Sequence, residues 1–282
     1  MRQIFTFLVI SILLSSCISY HISESNIFNP RKVSKLNEDV IIENVEFKTS
    51  DDIKISGRFA KVKNAKGTIL YFGGNGFSLW NRSTNDVINF FTNLQMNLML
   101  IDYRGYGLSE GSPTIQGIYK DSEAAYKYLC SRDDVNSKKI ILYGHSLGAF
   151  VATNLAKEYT FAGLVLEGAI SNATEMKDAA LQAKAPWYIR WLVTVDADSS
   201  VLALNNLEQV KEIKIPLLVI TGEKDDLAPP VMGEEIVINA KSKNKKFVII
   251  KNGEHKNLYF SNYDGRRSKY HDVLLKFLES VL

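Results

Sequence analysis

Short apolar runs alternate with segments of helical periodicity along most of this chain, and this alternation predicts an α/β fold. Residues 40–49 and 53–62 are rich in apolar positions and are separated by Ser50-Asp51-Asp52, which predicts a β-hairpin. Six further short apolar runs predict strands: 68–72, 98–101, 140–143, 164–168, 217–220 and 247–250. Helical spacing predicts helices over 84–94, 115–129, 149–159 and 268–282. We therefore expect a mainly parallel sheet of about eight strands flanked by helices.

One stretch, residues 171–213, interrupts this alternation because it is far longer than a simple crossover between two strands. Asn172 followed by Glu175 is typical of a helix start. Apolar residues near helical spacing follow, namely Trp187, Tyr188, Trp191, Leu192 and Val195. The stretch is predicted to be a small helical cap over the carboxyl edge of the sheet.

The amino terminus has the pattern of a targeting segment. Met1-Arg2-Gln3 gives a positive start, and the apolar run Ile4–Leu14 is too short to span a bilayer. Leu14-Ser15-Ser16-Cys17 follows and resembles the lipobox of bacterial lipoproteins. That resemblance implies lipidation at the Cys17 thiol; an ordinary cleaved signal, or an uncleaved anchor with a chance cysteine, is the alternative.

The expected organisation is a lipoprotein signal peptide at 1–16, a polar tether at 17–39 and one α/β domain at 40–282. Acyl chains at Cys17 would hold the protein to a membrane of the bacterial cell envelope. Ile18 stands where an aspartate would suggest retention at the inner membrane, so an outer-membrane or cell-surface location is favoured.

Composition narrows the classes of function. The chain has 282 residues, of which 46% are hydrophobic and 23% charged, which suits a large core in one domain. A net charge of +3 without a basic, aromatic-rich cluster gives no support for nucleic-acid binding. Two cysteines, Cys17 and Cys130, are too few for a disulfide framework and lack metal-site spacing. We expect a monomer that needs no metal and no organic cofactor.

The pentapeptide Gly144-His145-Ser146-Leu147-Gly148 has the G-x-S-x-G form of a nucleophile elbow. A predicted strand precedes it and a predicted helix follows it. A serine at such a sharp turn is exposed above the sheet edge, and the glycines are needed because the turn leaves no room for side chains. The pattern predicts Ser146 as a nucleophile.

A serine hydroxyl needs a base within hydrogen-bond reach, and the base needs an acid that fixes its tautomer. Asp225 and Asp226 follow one apolar strand, and His255 follows the next, in the order Ser, acid, His. The other three histidines lie in less suitable places: His21 in the tether, His145 inside the elbow and His271 on the last helix. His255 is therefore the predicted base, and both aspartates are candidates for the acid.

The oxyanion of an acyl-transfer intermediate needs preorganised N–H donors. One predicted donor is the backbone N–H of Leu147. The second is expected from the glycine-rich loop 72–77 that follows the third strand, because glycines let the main chain approach the substrate. A plain strand-to-helix turn is the alternative for this loop.

The block Asp102-Tyr103-Arg104-Gly105-Tyr106-Gly107-Leu108-Ser109-Glu110-Gly111-Ser112-Pro113-Thr114 resembles the D-Y-R-G-Y-G-x-S-x-G-x-P block of the α/β-hydrolase-12 or Bem46-like serine hydrolases. Residues 144–148, 222–225 and 253–255 are similar to the elbow, the G-x-x-D loop and the G-x-H loop of that family. The resemblance spans about residues 40–282 and implies the α/β-hydrolase fold.

The resemblance also implies roles for individual residues. It favours Asp225 over Asp226 as the acid of a triad with Ser146 and His255. Aligning the family's H-G-N loop assigns the second oxyanion donor to Asn75 and puts Gly73 where a histidine is usual. Asp102 and Arg104 are expected to be structural.

Together these residues predict a serine hydrolase that cleaves a carboxylic ester or thioester through an acyl-enzyme. Peptide or amide cleavage by the same chemistry is one alternative, and a non-catalytic envelope lipoprotein that binds through this scaffold, or that associates with a lipid surface, is another. The expected substrate is a small-molecule or lipid-like acyl compound. Four aromatic residues are candidates for an acyl pocket, with core packing as the alternative: Phe77, Trp80, Trp187 and Trp191.

Overall fold

The computed structural model describes residues 18–23, 42–184, 188, 193–256, 258 and 266–282. The strands in this part of the chain are β1 (Ile18–Ile22), β2 (Glu43–Lys48), β3 (Lys54–Ala60), β4 (Gly67–Phe72), β5 (Met96–Ile101), β6 (Ile140–His145), β7 (Gly163–Glu167), β8 (Val193–Ala197), β9 (Leu217–Gly222) and β10 (Lys245–Ile250). The α-helices are α1 (Arg82–Asn93), α2 (Ile115–Cys130), α3 (Leu147–Glu158), α4 (Ala173–Lys184), α5 (Ser199–Leu202), α6 (Asn206–Val210), α7 (Pro230–Asn239) and α8 (Arg266–Val281). A 3-10 helix lies at Ser137–Lys139.

Eight strands form one sheet in the order β10-β9-β7-β6-β4-β5-β3-β2. The hairpin strand β2 pairs antiparallel with β3, and β3 pairs antiparallel with β5. The remaining pairs are parallel. Strands β4, β5, β7 and β9 are buried along their whole length, because helices cover both faces of the sheet, and they read as nearly continuous apolar runs. The predicted fold class and the predicted strand number are confirmed.

Two apolar layers lie on opposite faces of this sheet, because successive side chains of a strand point in opposite directions. In β4, Leu70 and Phe72 face the layer that includes α2, α3 and α7. Ile69 and Tyr71 face the layer that includes α1 and α8. The parallel strands therefore end at one shared edge with helices fixed on both sides, and this edge is where loops from distant parts of the chain meet.

The segment 171–213 holds α4, β8, α5 and α6. The predicted helix start is present, since the backbone N–H of Glu175 donates to the Asn172 side chain at 2.9 Å. Strand β8 pairs in parallel with β1, which lies in the segment predicted as a tether. Neither strand was expected from the sequence, since β1 lies in a polar segment and β8 at the end of an apolar cluster with helical spacing.

Helix α7 was missed, because Val231 and Ile238 are exposed apolar residues that blur its periodicity. The predicted signal peptide and Cys17 lie outside the described residues. Within the described residues, none of the helices combines the length and the apolar character that crossing a bilayer requires.

The block 102–114 folds into turns below the sheet edge and is tied to the core by buried charges. Arg104 contacts Asp121 at 2.9 Å and Asp51 at 3.0 Å. Asp102 accepts a hydrogen bond from the backbone N–H of Leu79 at 2.9 Å. Gly107 has φ +48°, and a Cβ there would lie 1.7 Å from an Asp102 carboxylate oxygen. These contacts are structural, as the resemblance implied.

We predict that Arg104→Ala lowers the free energy of unfolding by about 3 kcal/mol, because it leaves the fully buried Asp121 carboxylate without its cation. Burial already raises the pKa of Asp121 to about 6, against the opposing effect of Arg104. Lys120→Ala is the matched control, since exposed Lys120 pairs with the same Asp51, and its cost should stay below about 1 kcal/mol. Urea unfolding at pH 7.5 measures both, and equal losses would contradict the prediction.

Candidate active site

Ser146 lies at the turn between β6 and α3, with φ 54° and ψ −116°. Such a backbone conformation is rare for a residue with a side chain and persists only where the surroundings enforce it. A Cβ on Gly148 would lie 2.0 Å from the Phe72 carbonyl oxygen, and one on Gly144 would lie 2.4 Å from the Gly148 carbonyl oxygen. Close backbone packing therefore leaves no room for a side chain at Gly144 or Gly148, as predicted for the elbow.

His255 lies directly against the serine. Its Nε2 is 3.0 Å from Ser146 Oγ, and its Nδ1 is 2.9 Å from one Asp225 carboxylate oxygen and 3.0 Å from the other. All three residues are buried. Because an ionised carboxylate only accepts, Nδ1 carries the ring proton and Nε2 is left to accept from the hydroxyl. The arrangement allows a proton to move from Ser146 to His255.

The structure distinguishes the two candidate acids. Asp225 is buried, and its Oδ1 also accepts from the backbone N–H groups of Leu227 at 3.0 Å and Ala228 at 2.7 Å. Those two bonds fix the carboxylate in the orientation that meets His255. Asp226 is exposed to solvent. The residue in contact with the imidazole is thus Asp225, the one that the family spacing favours.

The acid loop and the histidine loop are joined by backbone contacts as well. Strands β9 and β10 are parallel neighbours, so both loops start at the same edge. The backbone N–H of Lys224 donates to the Gly253 carbonyl at 2.7 Å, and that of Glu223 donates to the Ile250 carbonyl at 2.9 Å. A Cβ on Gly222 would lie 2.5 Å from the carbonyl carbon of Gly253. The distance between acid and base is therefore set by main-chain packing.

The loop after β4 lies against the elbow. A Cβ on Gly74 would be 3.1 Å from Ser146 Cβ and 3.0 Å from His145 Nδ1. The next residue, Asn75, is exposed, and its side-chain oxygen accepts from the Tyr106 hydroxyl at 3.3 Å. Leu147 is the first residue of α3 on the other side of Ser146. Leu147 thus follows the serine along the chain, and the loop that carries Asn75 lies against the serine from the end of β4.

Gly73 occupies the position where the resembled family has histidine, and packing accounts for the difference. A Cβ on Gly73 would lie 2.2 Å from the ring of Phe77. The Phe77 ring in turn packs 5.6 Å from that of Tyr71 in the core. The Tyr103 hydroxyl donates to the Gly73 carbonyl at 3.1 Å, which anchors the loop. The loop is thus held by a core aromatic ring on one side and by the block 102–114 on the other.

Of the four aromatic candidates for an acyl pocket, Phe77 and Trp80 lie in the described part of the chain, and both pack against the core layer that includes α1 and α8. Phe77 packs toward the core, as above. Trp80 lies under the guanidinium of Arg58, whose central carbon is 4.0 Å from the ring centroid. Trp187 and Trp191 lie outside the described residues.

His145 has a role in this geometry that the sequence analysis did not assign. Its Nε2 is 3.1 Å from the backbone carbonyl oxygen of His255, so Nε2 is the donor. Burial, followed by the positive charge of His255, lowers the pKa of His145 to about 4. The ring is therefore neutral near pH 7 and ties the elbow to the histidine loop. The x position of G-x-S-x-G is the sequence signal for such a contact.

In the described part of the chain, no three side chains of His, Cys, Asp or Glu converge in the way that a metal ion requires. The chemistry available at this edge is that of a hydroxyl, an imidazole, a carboxylate and backbone N–H groups.

Comparisons with known proteins identify the family and the fold. The model of the prolyl oligopeptidase family matches residues 84–282. The alpha/beta hydrolase domain-containing protein WAV2 of Arabidopsis thaliana is 28% identical over 272 residues, which cover 92% of this chain and 83% of WAV2. The protein bem46 of Schizosaccharomyces pombe is 28% identical over 194 residues, covering 67% of this chain and 62% of bem46. The predicted resemblance to Bem46-like α/β hydrolases is confirmed.

A solved structure of an esterase from Pyrococcus furiosus matches with a TM-score of 0.74 at 22% identity, covering 90% of this chain and 98% of the esterase. At this identity the likeness shows the fold, and that fold is the α/β-hydrolase fold.

We predict that His145→Gln, which keeps an N–H donor for the His255 carbonyl, makes stability less dependent on pH. The folded-state pKa of about 4 lies below the ordinary histidine value of 6.5. The unfolded chain therefore takes up a proton that the folded chain refuses, and the wild type loses stability as pH falls from about 7 to about 4. Urea unfolding at pH 7.5 and 4.5 should show that about 2 kcal/mol of this loss is absent from the variant.

The control for this change is His271→Gln, because His271 is an exposed histidine far from the elbow. It should keep the pH dependence of the wild type. A loss of stability in His145→Gln that equals the wild-type loss would contradict a neutral, half-buried His145.

Proposed function

The chain belongs to the prolyl oligopeptidase family and has the α/β-hydrolase fold, and from this premise we propose that it is a serine hydrolase. We further propose that it cleaves a carboxylic ester or thioester through an acyl-enzyme. The observation that supports this most directly is the chain of contacts from Ser146 Oγ to His255 Nε2 at 3.0 Å and from His255 Nδ1 to Asp225 at 2.9 Å. A hydroxyl, a base and an orienting acid within hydrogen-bond reach are what nucleophilic acyl transfer needs.

In the proposed first half-reaction, Ser146 Oγ attacks the acyl carbonyl while His255 Nε2 takes the hydroxyl proton. Asp225 holds the Nδ1–H toward itself and stabilises the imidazolium that forms. When the tetrahedral intermediate collapses, the imidazolium gives its proton to the departing alcohol or thiol, and Ser146 stays acylated.

The oxyanion of that intermediate is assigned to the backbone N–H groups of Leu147 and Asn75. The Leu147 N–H is at the amino end of α3, where unsatisfied N–H groups carry partial positive charge. The approach of Gly74 to Ser146 brings the loop that bears Asn75 next to the nucleophile. Both donors are part of the backbone, so they are preorganised before substrate arrives.

In the second half-reaction, a water molecule takes the place of the leaving group. His255 removes a proton from the water, the water oxygen attacks the acyl carbonyl, and the same N–H groups stabilise the second oxyanion. Collapse returns the proton from His255 to Ser146 Oγ and releases a carboxylic acid.

Esters and thioesters are the first choice of substrate because their leaving groups depart readily once the acyl carbonyl is attacked. The esterase from Pyrococcus furiosus, whose fold this chain shares, supports that choice. Amide or peptide cleavage is the second candidate, and the name of the matched family favours it. A lipid anchor at Cys17 and an envelope location stay predictions of the sequence.

We predict that Ser146→Ala abolishes ester hydrolysis. Removing the nucleophile should lower kcat for a short p-nitrophenyl ester by at least about 10⁴-fold and should eliminate covalent labelling by a fluorophosphonate probe. The exposed Ser131, at the end of α2, is the control, and Ser131→Ala should keep both activity and labelling. Thermal unfolding of each variant checks that the fold is intact.

The outcomes of this assay separate the candidate functions. Full turnover or labelling in Ser146→Ala would overturn the proposed mechanism. A wild-type protein that neither labels nor turns over would favour a binding role for the scaffold. An anilide hydrolysed faster than the ester with the same acyl group would favour the amide alternative.

We predict that adjacent aspartates respond differently to the same change. Asp225→Asn should lower kcat by about 10⁴-fold, because an amide in place of the carboxylate no longer holds the Nδ1–H tautomer of His255. Asp226→Asn should stay within about two-fold of the wild type, since this side chain is exposed. Steady-state kinetics on the same ester measures both. Equal losses in the two variants, or a larger loss in Asp226→Asn, would contradict the assignment of the acid.

A further inference from the structure

A buried carboxylic acid lies behind the site and has no part in the mechanism above. Glu167 is the last residue of β7, and its side chain is 1% exposed. Its Oε2 accepts hydrogen bonds from the Tyr143 hydroxyl and from the Tyr270 hydroxyl, the latter at 3.0 Å. The two hydroxyls also contact each other. A carboxyl group in an apolar layer is costly, so its presence needs a reason.

The backbone of the same strand end touches each member of the proposed triad. The Glu167 carbonyl accepts from the backbone N–H of Ser146 at 2.9 Å. The next residue, Gly168, has φ +53°, and a Cβ there would be 3.2 Å from the His255 ring and 3.4 Å from Asp225 Oδ2. A displacement of Glu167 would therefore be felt by the hydroxyl, the imidazole and the carboxylate together.

The two tyrosines connect this strand end to other elements. Tyr143 belongs to β6, two residues before the elbow's His145, and its ring stacks on Tyr71 of β4 at 5.2 Å. Tyr270 belongs to α8, the helix that follows the histidine loop, and packs 5.6 Å from Phe90 of α1. The Glu167 carboxyl thus joins the strand before the nucleophile to the helix after the base.

Glu167 is also coupled by charge to the site. Burial raises its pKa to about 7, while the hydroxyls of Tyr143 and Tyr270 and the positive charge of His255 lower it and Asp225 raises it. These four groups and Tyr71 are the titratable groups that face the cluster from β6, α8, β4 and the two loops. Because the interaction between two charges is mutual, a negative charge on Glu167 would attract a positively charged imidazole ring in return.

We propose that Glu167 is a positioning residue of the hydrolytic site: its carboxylate, held between Tyr143 and Tyr270 at the strand end that packs against Ser146 and His255, supplies a second negative charge near the imidazole and favours the imidazolium that forms when Ser146 attacks. This inference rests on the proposed function for its catalytic meaning. The charge coupling itself is a property of the folded chain that is measured without turnover.

The experiment uses Glu167→Gln, which keeps the shape of the side chain and an acceptor oxygen for the tyrosines but removes the charge. The chain has four histidines, so NMR of imidazole carbons resolves them individually, and His255→Asn assigns the signal. In the wild type, the His255 signal should report two ionisations, its own and that of Glu167. In Glu167→Gln it should report one, with its midpoint about half a pH unit to one pH unit lower.

Kinetics on the p-nitrophenyl ester then tests the consequence for the reaction. Loss of the charge should move the acid limb of kcat/KM toward lower pH and lower the plateau kcat about three- to ten-fold, with KM within two-fold. Fluorophosphonate titration counts the active sites. A variant that only folds less well would show fewer active sites, while the acid limb of its kcat/KM profile would stay at the wild-type pH. That result, or an unchanged His255 midpoint, would overturn the proposal.

The matched control is Glu123→Gln, because Glu123 also accepts a hydrogen bond from a tyrosine, Tyr159, but lies on α2 away from the elbow. It should leave the His255 signal and the pH profile unchanged. A His255 midpoint that moves equally in both variants would overturn the proposal.

If Glu167→Gln does not fold, Tyr270→Phe tests whether the charge of Glu167 affects the ionisation of His255. Losing a hydroxyl that lowers the pKa of Glu167 reduces the ionised fraction of its carboxyl at pH 7, so the His255 midpoint should move in the same direction by a smaller amount. No movement would overturn the proposal. A wild type without ester turnover would count against the proposed function, while the NMR titration would still read the coupling.

Discussion

The backbone at Ser146 is the constraint on which the site depends. A residue with a side chain held at φ 54° costs about 1 to 3 kcal/mol, and the surroundings must enforce it. Here the Ser146 N–H is fixed by the Glu167 carbonyl, and Gly148 lies so close to the Phe72 carbonyl that no Cβ would fit. The strained backbone is thus held in place by β7 and β4, the strands on either side of β6. It holds the hydroxyl at the sheet edge, where His255 Nε2 lies 3.0 Å from Ser146 Oγ.

Main-chain contacts, more than side-chain contacts, hold the partners of the serine in place. The backbone N–H of Lys224 in the acid loop donates to the Gly253 carbonyl in the histidine loop, and His145 Nε2 binds the His255 carbonyl. The imidazole therefore has little freedom to leave the line between Ser146 and Asp225. Preorganisation of this kind matters because groups that are already aligned need not be reordered as charge develops.

Burial decides the electrostatic character of this edge. His145 is kept neutral next to the site, and Glu167 is brought to a pKa of about 7 by the same apolar layer that packs α1 and α8 on the sheet. The ring of His145 lies 5.3 Å from that of His255, and the backbone of Glu167 binds the Ser146 N–H, so both groups stand close to the triad in surroundings where charges act more strongly than in water. The packing that stabilises the fold therefore also influences which groups near the imidazole carry a charge.

The sequence by itself determined the α/β class, the eight-stranded sheet and the order of nucleophile, acid and base, because strand periodicity and the glycine pattern around Ser146 are local properties. The sequence left open whether Asp225 or Asp226 is the acid, except through the family resemblance. It indicated no role for His145 or Glu167. Only the tertiary structure decided these, since a carboxylate's orientation, a neutral histidine and a buried acid depend on which strand ends meet. Contacts between residues more than a hundred positions apart, such as Tyr143 with Tyr270, leave no periodic signal in the chain, because the sheet edge that joins them exists only after folding.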